Sequence, residues 1–450
     1  MSAPLFNGGG ADHAVGDPNY GHRSAWGLVA ALTLVNVIAQ VDRFAMTLLI
    51  TPMQRDLGLN DTQMGLIGGL VTGVFFAAAG LPLARLADQV NRKYLIIVSL
   101  VGWSLMTMAS GLAIGFWTLC LARLLLSVGE ASLGPAANSM ISNVFPSNRL
   151  SQPLSVFAAA GSLGNAVASG LVALLLAFAA WAPDLLTFGD ASMAPWRIVM
   201  LGLGLAGVVP LVGMLLVREP TRPVDDARPG FKAFVAHLRP RWKAYAPCYL
   251  GYAFFVLPFV ALAFWVPTAF ERTHGMSTTT SGVWLGLGYL VAGTPGTLVG
   301  GWLAQRWLAA GRTDGNLRVL LLATCIALPA AALSQIVGNP TVGLGFVWVG
   351  MFSAAMGLGP VTAAIQALTP VPYRAQAAAV LYLLIYIVAF MGIPLAGAIT
   401  DGVFHDPKRI GHALAVLAVA FGLLASWVIL RGLRPHRMGL AEREAALRQG

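Results

Sequence analysis

The chain has 450 residues, of which 57% are hydrophobic and only 10% charged, and its net charge is +10. A water-soluble fold must cover its surface with polar groups, and soluble domains usually carry about 25% charged residues, so this composition excludes one and makes lipid the natural solvent. The positive balance does not point to nucleic acid, because the Lys and Arg residues sit in short loops between apolar runs and not along one basic stripe.

Residues 1–23 are polar and glycine-rich, with no apolar run after a basic start. No cleaved signal peptide is expected, and insertion starts from the first span. A span needs about 20 mostly apolar residues. By that measure the first six spans are predicted at 24–50, 64–86, 94–114, 116–141, 151–180 and 196–217. The other six are predicted at 244–269, 281–307, 317–336, 341–367, 374–400 and 411–431. Between the sets lie Arg218, Arg222, Arg228, Lys232, Arg239, Arg241 and Lys243, a linker composition with a short amphipathic piece at the membrane surface. The expected fold is an all-α membrane protein of twelve transmembrane helices: a six-helix bundle at 1–217, a cytoplasmic linker at 218–243, and a second six-helix bundle with a tail at 244–450.

With both termini in the cytoplasm, the outer segments hold only Arg55, Arg197, Arg272, Lys408 and Arg409 as basic residues, and Arg43 and Arg123 lie within spans. All other Lys and Arg residues fall inside, which fixes that orientation. Short loops and an Ala- and Gly-rich composition suggest a bacterial inner (plasma) membrane. The halves look related. Ala84-Arg85-Leu86-Ala87-Asp88-Gln89 ends the second span, and Gly301-Trp302-Leu303-Ala304-Gln305-Arg306 ends the eighth. Two such repeats place a substrate site between them.

Four charged residues lie well inside spans: Asp42, Arg43, Arg123 and Glu130. Each costs roughly 2.5–3.5 kcal/mol on insertion scales, so such residues usually face the interior and serve function. Asp42 and Arg123 lie at matching depths, ~27 Å of helix rise from the cytoplasmic side, and can pair. Arg123 and Glu130 are two turns apart, so they share a helix face about 10 Å apart. Arg43 points about 100° away from Asp42 and is free to pair elsewhere or to meet a substrate anion. Glu130 is then the less obviously neutralised carboxylate. It is expected to take up and release a proton, tuned by Asp42, while Arg43 or Arg123 holds a phosphate or carboxylate headgroup. The bland alternative is a static ion-pair network that packs the first span on the fourth.

Spans seven to twelve contain no central charge, and Asp401 sits at an outer end. A cavity with one charged and one apolar wall suits an amphiphile. Gly65, Gly69 and Gly73, and likewise Gly296 and Gly300, recur every fourth residue, a pattern that lets helices approach closely.

In the turn between spans two and three, Asp88 stands with Arg92 and Lys93. Such a cluster can latch two halves by ion pairs and release them; topology alone explains the basic residues but gives Asp88 no use. This stretch resembles the loop signature of the major facilitator superfamily, G-x-L-A-D-R-x-G-R-K. Leu86, Ala87, Asp88, Arg92 and Lys93 match, while Ala84, Gln89 and Asn91 depart from it. More narrowly, Val41-Asp42-Arg43-Phe44, Asn91-Arg92-Lys93-Tyr94, and Arg123 followed by Val128-Gly129-Glu130-Ala131-Ser132 are similar to the spinster-like branch. The resemblance implies a secondary transporter of sphingolipids or lysophospholipids, coupled to protons. Organic-anion symporters of the same superfamily carry similar Gly-Glu-Ala stretches, which leaves a carboxylate carrier, with Arg43 and Arg123 as anion clamps, as the alternative.

A membrane sensor or membrane-embedded enzyme is the reading from outside transport. No signalling domain, P-loop or catalytic constellation supports it, and Gly202-x-Gly204-x-x-Gly207 lies in an apolar span with no strand before it. Cys120, Cys248 and Cys325 form no metal-binding spacing. No catalytic residue, metal or cofactor is expected. The expected partners are the bilayer, an amphiphilic substrate and protons, with the chain as a monomer.

Overall fold

A computed structural model describes residues 21–145, 150–181, 187–188, 191–221 and 231–449. Twelve helices in it are long and apolar enough to cross a membrane. The first six are Arg23–Leu48, Asp61–Ala87, Arg92–Gly111, Phe116–Val144, Gln152–Trp181 and Pro195–Leu216. The second six are Phe231–His274, Thr278–Ala309, Gly315–Ile336, Pro340–Leu368, Gln376–Phe404 and Pro407–Ala445. The expected fold class therefore holds. The only strands among the described residues form a two-residue ladder, Thr187–Phe188 against Ala191–Ser192, in the connection between spans five and six.

Two helices run further than their apolar stretches. The seventh starts at Phe231 because the predicted amphipathic piece, Phe231–Leu238, leads into it. Phe234 is fully buried and its ring lies 6.2 Å from that of Tyr373. The twelfth helix continues to Gln449. Its polar tail is built of good helix formers and is docked: Gly439 sits against Ala244 and Leu368, and Arg443 donates to the carbonyls of Gln366 and Ala367 at the end of span ten. A cation on those terminal carbonyls also complements the helix dipole.

The glycine pattern marks close approaches, as expected. A Cβ on Gly296 would lie 2.2 Å from the backbone oxygen of Phe352, and one on Gly300 would lie 2.3 Å from that of Met356, so spans eight and ten touch backbone to backbone. Gly301, one position on, has nothing within 4 Å. Gly296→Ala must push the helices apart, at about 1–3 kcal/mol. It should lower the unfolding temperature of the detergent-purified protein by about 1–3 °C, while Gly301→Ala leaves it unchanged; equal behaviour of the two variants would refute the packing role.

The paired bundles have two ends. The near face is where the first helix begins and the twelfth ends, and the far face is opposite. On the far face the halves are closed on each other. Gly65 and Gly69 of span two lie against Ile393, Pro394 and Phe390 of span eleven, and Gly286 of span eight lies against Ala166 of span five. Towards the near face the halves part, and Leu86 on span two and Tyr382 on span eleven are exposed. Three spans beside this seam carry π-helical segments, Leu66–Val74, Tyr289–Gly293 and Ile385–Ala389. Apolar periodicity cannot distinguish these from α-helix, and such segments often mark functional places.

Candidate functional site

Spans one and four bring the four interior charges together. Arg123 Nη1 donates to Asp42 Oδ2 at 2.9 Å, the pair expected from matched depth. The second nitrogen, Nη2, lies 3.0 Å from the sulfur of Met200. Glu130 is not left alone, as its position suggested: Arg43 Nε donates to Glu130 Oε2 at 2.7 Å. The 100° turn between Asp42 and Arg43 aims each at a different residue of the same helix face, two turns apart. Asp42, Arg123 and Glu130 are buried, whereas the Arg43 side chain keeps 26% of its surface accessible.

The charges balance, but their hydrogen bonding is incomplete. Among the described residues, Asp42 Oδ1, Glu130 Oε1 and Arg123 Nε are buried without a hydrogen-bond partner. Buried polar atoms are normally paired, so this arrangement has spare capacity for a proton or an anion.

Next to it lies a cavity of about 240 Å³ between the halves. Its first-half wall presents Arg43, Thr47, Thr72, Arg123 and Asn165 together with the apolar Phe44, Met46 and Leu126. Its second-half wall presents Val260, Ala263, Phe264, Tyr289, Phe390 and Ile393. Gly68 lines the cavity and lets the Phe264 ring pack against span two, because a Cβ there would strike that ring at 2.3 Å. Both walls carry apolar side chains, but the charges stand on the first-half wall alone.

The loop cluster is placed differently from a latch across the halves. Arg92 is buried and spends its guanidinium on Glu219 Oε1 at 2.7 Å, Ser139 Oγ at 2.8 Å and the Pro220 carbonyl at 2.8 Å. The Lys93 amide donates to Glu219 Oε2, and its ammonium donates to the Leu215 carbonyl. These partners lie in the first half and its exit, so Arg92 and Lys93 tie span three to the end of span six. Asn91 caps span three by accepting from the Tyr94 amide. The side chain of Asp88 lies outside the described residues.

Sequence reasoning missed a polar seal on the far face. Arg272 at the end of span seven grips Asp61 of span two, at 2.7 and 2.8 Å from its two terminal nitrogens, and also donates to Gln54 Oε1 at 2.7 Å. The Thr51 hydroxyl donates to Glu271. Asp401 of span eleven accepts from both the amide and the hydroxyl of Thr62, at 2.7 and 2.6 Å. A signal was available: Asp61, Glu271 and Asp401 are carboxylates at the span ends that the Lys and Arg distribution predicts to lie outside, where charge-based topology has no use for them.

The sequence pattern of the Major Facilitator Superfamily matches residues 32–393. An "MFS-type efflux pump" of Mycolicibacterium smegmatis is 29% identical over 420 residues, covering 92% of this chain and 93% of that one. A "Hexuronate transporter" of Bacillus subtilis is 24% identical, covering 91% and 94%. "Protein spinster homolog 1" of Homo sapiens is 31% identical over 198 residues, 43% of this chain and 35% of that relative. Among solved structures, a bacterial homolog of the human lysosomal transporter Spinster, inward-facing and unoccupied, superposes with a TM-score of 0.78 at 21% identity, covering 93% of this chain and 99% of that one.

Proposed function

The chain belongs to the Major Facilitator Superfamily and is an integral membrane transporter of that fold; on that footing we propose that it carries an amphiphile with an anionic headgroup, a lysophospholipid or sphingolipid, by proton-coupled alternating access. The observation that carries this reading is the asymmetry of the central cavity. Arg43 offers a partly accessible guanidinium on one wall, and the opposite wall is uncharged and mostly apolar. A phosphate or carboxylate takes paired donors from such a group, and an apolar chain gains from the other wall. A cavity of about 240 Å³ holds a headgroup and not an acyl tail. The tail would extend between the parted halves towards the near face, which is assigned to the cytoplasm by the distribution of Lys and Arg.

Proton coupling is supported by the two carboxylates. Glu130 and Asp42 each have one oxygen paired with an arginine and one unpaired. A proton on Glu130 Oε1 would weaken the hold on Arg43 and change what the headgroup meets. In the opposite state, with the near face closed, the Asp88, Arg92 and Lys93 cluster is assigned the gating role.

A second reading has its own support. The cavity also suits a hexuronate-sized carboxylate, and a hexuronate transporter is among the relatives over nearly the whole chain. One experiment separates the two: flux into proteoliposomes after a pH jump, with labelled lysophosphatidic acid or labelled glucuronate. Lysolipid flux that follows the pH gradient is expected. Glu130→Gln should reduce gradient-driven accumulation to background while leaving substrate exchange at zero gradient. Glucuronate flux alone would replace the lipid reading, and unchanged pH-dependent flux in Glu130→Gln would remove the proton role.

A further inference from the structure

Between the charged pair and the second half stand two aromatic rings. The Arg43 guanidinium carbon lies 4.7 Å from the centroid of Phe76. The Phe76 ring lies 4.6 Å from that of Tyr386, and Tyr386 lies 5.2 Å from Phe390. The Tyr386 hydroxyl also interacts electrostatically with the Arg43 guanidinium. Arg43 is in the first span, Phe76 in the second, and Tyr386 and Phe390 in the eleventh. The contact chain therefore starts at a first-half ion pair and ends on the second half's cavity wall.

Arg43 commits its Nε to Glu130. A guanidinium has five N–H donors in a fixed fork, so its other edge is available to a second partner. The segments bearing the two rings are suited to movement. Phe76 follows the π-helical Leu66–Val74, and Tyr386 lies within the π-helical Ile385–Ala389. A π segment holds an extra residue per turn and can return to α geometry by a local register change. Coupling needs an element with two arrangements and a contact that differs between them. Other charged and titratable groups around the pair are Asp42 of span one and Arg123 of span four, and Tyr289 of span eight lines the same cavity.

We infer that Tyr386 is a positioning residue of the coupling site, which carries the state of the Arg43–Glu130 pair into the second half. This rests on the proton-coupled reading above. With Glu130 ionised, a charge-assisted bond holds Arg43 to the first half. A proton from water on Glu130 Oε1 neutralises the carboxylate and weakens that bond. The guanidinium then favours the Tyr386 hydroxyl, the Phe76 face and any anionic headgroup in the cavity. Span eleven thus gains or loses a first-half contact with each protonation, at the level where the halves begin to part.

The test uses the full chain and needs no flux. Fluorotyrosine is placed at position 386 and read by fluorine NMR. Glu130→Gln is expected to move that resonance, while fluorotyrosine at Tyr245, which is hydrogen-bonded to Thr369 within the second half, stays in place. An unmoved 386 resonance overturns the inference. In proteoliposomes, Tyr386→Phe keeps the ring stack and removes the hydroxyl. Its KM for lysophosphatidic acid should rise about tenfold with the maximal rate within about twofold, and its pH profile should change shape. Wild-type kinetics and pH profile in Tyr386→Phe also overturn the inference. If the wild type moves no lysophosphatidic acid but the 386 resonance follows Glu130, the substrate reading fails and the role of Tyr386 stands.

Discussion

Arg272→Ala is expected to open the far face. Asp61 is 3% exposed and receives both arms of the Arg272 fork, and Gln54 Nε2 also donates to Asp61 Oδ1 at 2.7 Å. Removing the arginine leaves a carboxylate buried with one neutral partner, a situation that costs about 3–5 kcal/mol when nothing relaxes. A transporter has a cheaper escape, because parting the halves on the far face returns Asp61 to water. A bias of about 3 kcal/mol shifts a two-state population more than a hundredfold. Spin labels at the exposed residues Arg55 and Thr280, on opposite halves, should report a longer distance in Arg272→Ala than in the wild type. Arg272→Ala with Asp61→Ala should bring much of the short distance back, because the double variant leaves no stranded charge. Identical distances in wild type and Arg272→Ala would show that the seal does not hold the halves. Arg272→Lys should lie between, since an ammonium cannot reproduce the two-armed grip.

The second large effect is expected within the first half. Asp42→Ala takes away the one carboxylate that Arg123 touches among the described residues, and Arg123 is 2% exposed with Nε already unpartnered there. Its other polar neighbour is the Met200 sulfur, a weak acceptor. Breaking a buried pair from one side costs about 3–5 kcal/mol. For a chain of this size that corresponds to an unfolding temperature lower by about 3–5 °C. Replacing both residues, Asp42→Ala with Arg123→Met, should recover most of the loss, because the penalty comes from the stranded charge more than from the missing bond. Thermal unfolding of the single and double variants in detergent measures this. Equal loss in the two would mean that the pair's shape, and not its charge, is what the bundle needs. Flux should fall in both if Asp42 tunes the proton step, so stability and coupling are read separately.

Span positions were legible in the length of the apolar runs, because lipid admits only helices that satisfy their own backbone. The Asp42–Arg123 pair was legible because helix rise converts sequence position into depth. The partner of Glu130 was not. It depends on the rotation of span one about its axis, which is set by its packing on spans four and five: Gly164, for instance, leaves room for the Gln40 side chain. The direction of the Arg92 and Lys93 contacts was missed for a similar reason. A loop motif gives charges but not their distances, and Glu219 lies far along the chain from both.

The sequence by itself determined an all-helical membrane protein of two six-span halves, its four interior charges, and the uneven division of those charges between the halves. These depend on the solvent and on helix geometry, both of which act locally. Only the tertiary structure decided which charges pair, that the far face is sealed by Arg272, Asp61 and Asp401 with their neighbours, and that Phe76 and Tyr386 join Arg43 to the second half. Those contacts join residues tens to hundreds of positions apart, and they exist only after two bundles have taken one of their alternative arrangements. Hydropathy is blind to that choice, because each arrangement buries the same apolar faces in the same lipid.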